Sequence, residues 1–288
     1  MSKLITKTID LGNYNIKLSE DVKFISSYIE FDGADTSESN ILEYNGKKYA
    51  MEFENDFDGE FNKVKKSYEP NLLWALDKSG AKDGDAYRLV LGLPLNNLGQ
   101  AQTLKDNLIG KDFTYTTNST KTIHIEDVVV VGEGISSYYM LPATDREKDL
   151  IIIDLGGRTA NVVEYKNKRV VNKDTLNIGM IDFYDEIKVK FNNEEGQNVE
   201  TYQVKHLIDT GVIEQYKTVE YSFVNTLMNK VKVKFNIGLG KQIVFTGGGS
   251  LTLRNALERY NKNFKFIDNP LYSNVKGNLK IAKAKGWV

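Results

Sequence analysis

The amino-acid sequence predicts an α/β fold made of two related halves, and three observations carry that prediction. A strand, then Asp-Leu-Gly, then a second strand occurs twice, at Asp10 and again at Asp154. The aspartates are 154 − 10 = 144 residues apart, half of a 288-residue chain whose length is itself about twice a typical domain. A third apolar strand, residues 242–245, runs into Thr246-Gly247-Gly248-Gly249-Ser250 ahead of a helical stretch, the pattern that brings backbone N–H groups to an anion.

Residues 3–20 alternate apolar and polar side chains about Asp10-Leu11-Gly12-Asn13, which predicts two short strands and a tight turn. Asn45-Gly46, between residues 41–44 and 47–53, is a strong hairpin signal, so 21–60 is expected to be a small β-rich insertion. Residues 61–79 read as a helix, interrupted or begun afresh at Pro70 and ended by Gly80. The apolar run 87–93, closed by Pro94, fits a strand buried on both faces. A helix over about 97–108, stopped by Gly110, precedes a hairpin turning near Asn118-Ser119 into a strand over 121–131. Gly132-Glu133-Gly134 ends that strand and starts a short helix through Tyr139.

The polar stretch 144–148 separates the halves, and the design then repeats. Residues 150–153 and 160–165 are expected as strands about Asp154-Leu155-Gly156-Gly157, and 178–191, 201–209 and 214–235 as helical material with a polar break at 192–196. A helix leads from the glycine run to about Tyr260, followed by a short strand over 264–267 and a last helix over 271–285 around Gly277.

Composition excludes several chemistries. Lysine plus arginine number 38 against 39 aspartate plus glutamate, a net charge of −1, which rules out a broad electrostatic grip on nucleic acid or anionic lipid. Contact with DNA is therefore expected only through a partner. With no cysteine there is no disulfide, thiolate metal site or cysteine nucleophile. His124 and His206 have no zinc-site spacing around them. No apolar run reaches membrane-span length and the first residues do not form a signal peptide, so a cytoplasmic protein is expected. The Gly-Lys pairs at 46–47, 110–111 and 240–241 lack the following Ser or Thr of a Walker A loop, and neither G-x-G-x-x-G nor Gly-x-Ser-x-Gly occurs.

What remains is phosphate chemistry. An aspartate at the end of a buried strand holds a hydrated divalent cation, while the glycine beside it lets backbone N–H groups face an anion. Two such turns facing each other would clamp a polyphosphate and its Mg²⁺ from both sides. Lys17 shares a strand face with Asn15, which suits an ammonium group directed at phosphate and equally a solvated strand lysine. Glu133, at the abrupt end of an apolar strand, suits a carboxylate that orients water for in-line attack on a γ-phosphate. It also suits a helix N-terminus favourable with the macrodipole, and both can hold.

The series Asp10-Leu-Gly-Asn13 with Lys17, Val128-Val-Val-Val-Gly-Glu-Gly134, Ile151-Ile-Ile-Asp-Leu-Gly-Gly-Arg-Thr-Ala-Asn161 and Val244-Phe-Thr-Gly-Gly-Gly249 resembles the actin, Hsp70 and sugar-kinase superfamily. In order these match its phosphate-1, connect-1, phosphate-2 and adenosine motifs, and Asn274-Val-Lys-Gly277 looks like connect-2. Val90-Leu-Gly-Leu-Pro-Leu95 and Leu176-Asn-Ile-Gly-Met180 make the bacterial plasmid-segregation actins of the ParM type the nearest likeness.

The resemblance implies an actin-like (ribonuclease H-like) fold with duplicated domains around a nucleotide cleft. Domain I would be 1–145 with 269–288, and domain II 146–268. Asp10 and Asp154 would hold Mg²⁺ through water and act in catalysis with Glu133, which positions the attacking water. Gly12, Asn13, Lys17, Gly156 and Gly157 would hold the β- and γ-phosphates, and Gly247 and Gly248 would line the nucleoside side. Leu11 and Gly249 complete those nucleotide-binding loops. Relatives often carry an acidic residue where this chain has Asn161, so Asn161 is left out of the catalytic set; Arg158 could meet a phosphate or a neighbouring subunit, with a surface salt bridge the first expectation.

The function implied is an actin-like filament protein that polymerises with ATP, or GTP, hydrolyses it, and segregates plasmid DNA through a small DNA-binding adaptor of the ParR type. Its other partner is itself. The alternatives are a small-molecule kinase of the same superfamily, for which no second carboxylate set stands at a strand end, and a non-segregating cytoskeletal homologue. The basic tail ending in Trp287-Val288 lacks the broad apolar face of a membrane-binding helix.

Overall fold

A computed structural model describes residues 4–32, 40–53, 67–238 and 240–288. The first elements are β1 (Leu4–Leu11), β2 (Asn15–Leu18), β3 (Lys23–Ile25), β4 (Tyr28–Phe31), β5 (Ile41–Tyr44), β6 (Lys47–Met51), α1 (Glu69–Lys78), β7 (Ala86–Leu93), α2 (Ala101–Leu108), β8 (Lys111–Thr116) and β9 (Thr120–Gly132). There follow α3 (Ala143–Arg146), β10 (Leu150–Leu155), β11 (Ala160–Lys166), β12 (Arg169–Leu176), α4 (Met180–Glu195), α5 (Thr201–Asp209) and α6 (Lys217–Lys234). The chain closes with β13 (Gln242–Thr246), α7 (Gly248–Thr252), α8 (Arg254–Tyr260), β14 (Lys265–Phe266) and α9 (Ser273–Ala284). Two compact units result, Met1–Tyr139 with Asn274–Val288, and Met140–Ser273.

The first unit is a nine-stranded sheet in the order β3-β2-β1-β7-β9-β8-β5-β6-β4. Its centre is parallel, β1 with β7 and β7 with β9, and β7 is buried at every position except Arg88. Such a strand shows no polar alternation because both its faces are covered. Leu72, Leu73 and Leu76 of α1 pack into this core with Ile9, Leu89 and Leu91. Pro70 sits in the first turn of α1, where its missing N–H costs no helical bond. The far end of α1 is fastened by Asp77, which accepts from Thr117 Oγ1 at 3.1 Å, from Tyr115 OH at 3.3 Å and from the Lys121 ammonium. Burial, reinforced by the Asp77 carboxylate, pushes the Tyr115 phenol well above its ordinary range. Helix α9 and the residues after it are tied to β1: Thr8 Oγ1 donates to Val275 O at 3.0 Å and Thr6 Oγ1 to Trp287 O at 2.8 Å. Within 21–60 lie β3 to β6, and the Asn45-Gly46 turn joins β5 to β6. Residues 61–66, expected to open a helix, lie outside the described residues.

The second unit is a five-stranded sheet in the order β12-β11-β10-β13-β14. All six residues of β10 are buried. Phe183 and Ile187 of α4 and Phe223, Leu227 and Val231 of α6 fill the core with Phe245. Three features depart from the expected elements. Strand β12 was not expected, because residues 169–173 are all exposed and carry no apolar alternation. Helix α4 continues through Glu195, past the expected break at 192, and stops at Gly196, whose φ of +63° lies in the left-handed region. The helix after the glycine run is two short helices, α7 and α8, with the change of direction at Leu253.

Candidate functional site

In the first unit the site begins at the end of β1. Antiparallel pairing with β2 sets Asp10 directly opposite Lys17. The Lys17 ammonium donates to Asp10 Oδ2 at 2.8 Å, with only 15% and 7% of the two side chains exposed. A largely buried ion pair of this kind fixes both charges in one place; Lys17 is not a solvated strand lysine. The turn between the strands needs Gly12, since a Cβ there would overlap the carbonyl oxygen of Asn15. Ser26 Oγ donates to Asn13 O at 2.7 Å and steadies the same turn.

Glu133 stands one residue beyond β9, at the end of the parallel pair β7 and β9. Its backbone N–H donates to Leu93 O at 2.8 Å. A Cβ on Gly92 would lie 3.5 Å from Glu133 Cγ, so the half-buried glutamate side chain passes close over that glycine. The following Gly134 has φ +80°, which turns the chain sharply into a 3-10 helix over Ser136–Met140. Helix α9 crosses this short helix closely enough that a Cβ on Gly277 would overlap Ser136 O.

In the second unit the corresponding aspartate, Asp154, is 5% exposed and lies opposite Asn161. Asn161 Oδ1 accepts from Thr175 Oγ1 at 2.7 Å, within the sheet. The turn over residues 156–159 is closed by Gly156 N–H to Thr159 O at 2.9 Å. Its carbonyls are held from behind by the start of α4: Met180 N–H donates to Gly156 O at 3.0 Å and Ile181 N–H to Gly157 O at 2.7 Å. These N–H groups are among the first of the helix, which have no partner inside it. Gly179 permits the approach, because a Cβ there would meet Gly157 O at 2.5 Å.

The glycine run follows β13. Thr246 pairs with Asp154 across the parallel strands. Gly247 has φ +83°, and a Cβ on it would overlap Asp154 Oδ1 and meet Leu155 O at 2.5 Å. The aspartate carboxylate thus rests against a backbone that can carry no side chain. The Gly247 N–H is taken by Pro270 O at 3.1 Å. Gly248 is half-buried, whereas Gly249 packs against Leu155 and Met180, where a Cβ would meet Leu155 Cγ at 2.5 Å.

Among the expected site residues, Asp10 and Lys17 are brought into contact in the first unit, next to Gly12 and Asn13. Asp154, Gly156, Gly157 and Gly247 are gathered in the second. Leu11 points into the first core and Gly249 is buried against Leu155, so both hold the turns in shape. The residues that sequence reasoning missed are Thr175 and Asp182, the latter accepting from Gly179 N–H at 2.7 Å. An aspartate three residues after a glycine and before an apolar helical run was the available signal for that cap. Each unit supplies one carboxylate at a strand end, and no group of three or more possible metal ligands occurs among the described residues. That donor supply fits Mg²⁺, which keeps most of its water and needs one or two carboxylates.

No protein-family model matches the chain, and no curated protein matches it. Solved structures do. A non-polymerisable quadruple mutant of pCBH ParM is 22% identical, with 98% of this chain and 100% of that chain covered and a TM-score of 0.73. Ta0583, an archaeal actin homologue in complex with ADP, is 15% identical, with coverage of 97% and 99% and a TM-score of 0.82. The AlfA filament bound to AMPPNP is 17% identical, with 98% of each chain covered and a TM-score of 0.67. At these identities the likeness establishes the fold. The chain has the actin-like α/β fold that its motif order implies.

Proposed function

We propose that this protein binds and hydrolyses ATP, or GTP, in an actin-like fold and uses the nucleotide to drive its own assembly into filaments. One observation carries the reading: the strand, Asp-Leu-Gly, strand turn is present in both units, with a buried aspartate in the same register in each. Duplicated carboxylate and glycine turns serve a polyphosphate with its metal ion better than any other ligand class. The fold neighbours support it, since one is an ADP complex and another a filament bound to AMPPNP.

In this reading Asp10 and Asp154 hold Mg²⁺ through water, and the metal when bound neutralises the β- and γ-phosphates. Lys17 presents its ammonium group to phosphate from beside Asp10. Gly12, Asn13 and Gly157 offer backbone N–H groups, Gly156 lets the phosphate approach a turn that its own N–H closes, and Gly247 and Gly248 leave room for the nucleoside side. Glu133 accepts a hydrogen bond from the attacking water and orients it in line. Filaments of this kind would separate plasmid copies in the cytoplasm through a small DNA-binding adaptor of the ParR type, in keeping with a net charge of −1.

Light scattering and pelleting with Mg-ATP, Mg-GTP and Mg-ADP test the proposal. Assembly is expected with a triphosphate above a critical concentration, with little or none in the diphosphate. Absence of triphosphate-dependent assembly across the accessible concentration range sinks it.

A further inference from the structure

Resting on the reading of Glu133 as the water-orienting carboxylate, we infer that Asn274 is a positioning residue that sets where the Glu133 side chain stands. Glu133 is fixed on its N-terminal side by its own N–H on Leu93 O at 2.8 Å. On its C-terminal side comes Gly134, buried and at φ +80°, a joint with no Cβ to restrict it. A glycine at this joint leaves the backbone after Glu133 to be fixed by its hydrogen bonds. Asn274 Oδ1 closes it, accepting from Gly134 N–H at 3.1 Å. The same oxygen accepts from Ser137 Oγ at 2.8 Å and, less closely, from Ser136 Oγ at 3.4 Å. One carboxamide oxygen therefore gathers the first donors of the turn that follows Glu133, as an N-cap would, but from 140 residues away in sequence.

The oxygen is itself held in place. Asn274 is the second residue of α9, and the next residue receives Thr8 Oγ1 from β1 through Val275 O at 3.0 Å. Gly277, one turn further on, brings the helix against Ser136 without a Cβ between them. Ser136 and Ser137 are 1% and 0% exposed, so water does not substitute for the acceptor. A carboxylate that directs a water must be placed to a fraction of an ångström, and this is the bond that fixes the chain immediately after it.

The test is steady-state phosphate release with Mg-ATP, alongside the affinity for a fluorescent ATP analogue, on the full chain. Asn274→Ala is expected to lower kcat by roughly tenfold to a hundredfold while KM and analogue affinity stay unchanged. Asn274→Asp keeps the acceptor oxygen and is expected to recover most of the turnover. In a Glu133→Ala background, Asn274→Ala should cause no further loss, because the residue acts only through Glu133. Should Asn274→Ala not fold, Asn274→Gln displaces the oxygen by one methylene and is expected to show the same kcat loss. Unchanged kcat, a loss confined to KM, or a loss that adds fully to that of Glu133→Ala overturns the inference. Wild-type protein without turnover overturns the nucleotide reading as well. Turnover abolished by Glu133→Ala yet indifferent to Asn274 overturns this inference alone.

Discussion

The two Asp-Leu-Gly turns share a frame and differ in what faces the aspartate. In the first unit the residue opposite Asp10 is Lys17, and the two form an ion pair at 2.8 Å. In the second the residue opposite Asp154 is Asn161, whose Oδ1 accepts from Thr175 Oγ1. The turns differ as well. Each has four residues between its last paired positions, but in the first a Cβ on Gly12 would overlap Asn15 O, whereas in the second a Cβ on Gly156 would stand 3.2 Å from Thr159 O and the turn is braced by the N–H groups of α4. The two turns therefore place a carboxylate alike and surround it differently: the first unit sets a cation against it, the second a neutral amide and a helix brace.

The most severe break in this comparison is Gly247→Ala, which drives a Cβ into Asp154 Oδ1 at a φ of +83°. Nucleotide affinity, read by titration of a fluorescent analogue, should fall by two orders of magnitude or about 3 kcal/mol. Next come the aspartates. Asp10→Asn takes the carboxylate from a largely buried Lys17 and should lower the unfolding free energy by about 1–3 kcal/mol in urea, whereas Asp154→Asn, facing an amide, should cost less than about 1 kcal/mol. Equal losses would mean that the ion pair contributes nothing specific. The turn glycines sharpen the same point: Gly12→Ala should destabilise by about 1–3 kcal/mol, and Gly156→Ala, whose Cβ would stand 3.2 Å from Thr159 O, by less. Smallest is a pH effect at the base of the first hairpin. Burial opposes ionisation of Glu20, but its hydrogen bond and ion pair with Lys7 at 2.6 Å outweigh this and lower its pKa. A lowered carboxyl pKa adds stability above the unfolded value near 4.5, which disappears as pH falls through the folded value. Solvent screening limits this to a few tenths of a kcal/mol, and Glu20→Gln should flatten that part of the thermal-melt pH profile.

The sequence made the central strands and the turn aspartates legible because these depend on short-range signals: apolar runs such as 150–153 and glycine after aspartate. The actin-like fold followed from their order along the chain. What was illegible depends on distance or on position at an edge. Nothing near Lys17 reveals that the strand register returns its ammonium to Asp10. Strand β12 escapes notice because an edge strand exposed over residues 169–173 has no buried face to imprint a period on its sequence. Asn274 falls in the segment that resembles connect-2, yet nothing local reveals its partners, which are set by the crossing of α9 over the short helix that follows Glu133.

That edge strand has a consequence for a chain proposed to self-assemble. An open sheet edge is a template on which any extended segment can add, without regard to orientation or to nucleotide. Val170 and Val171, 40% and 54% exposed, would reward such pairing. Arg169 and Lys173 flank them, so two copies meeting antiparallel edge to edge bring like charges together. The β12 edge thus acts as colloidal insurance, and its protection weakens as salt shortens the reach of those charges.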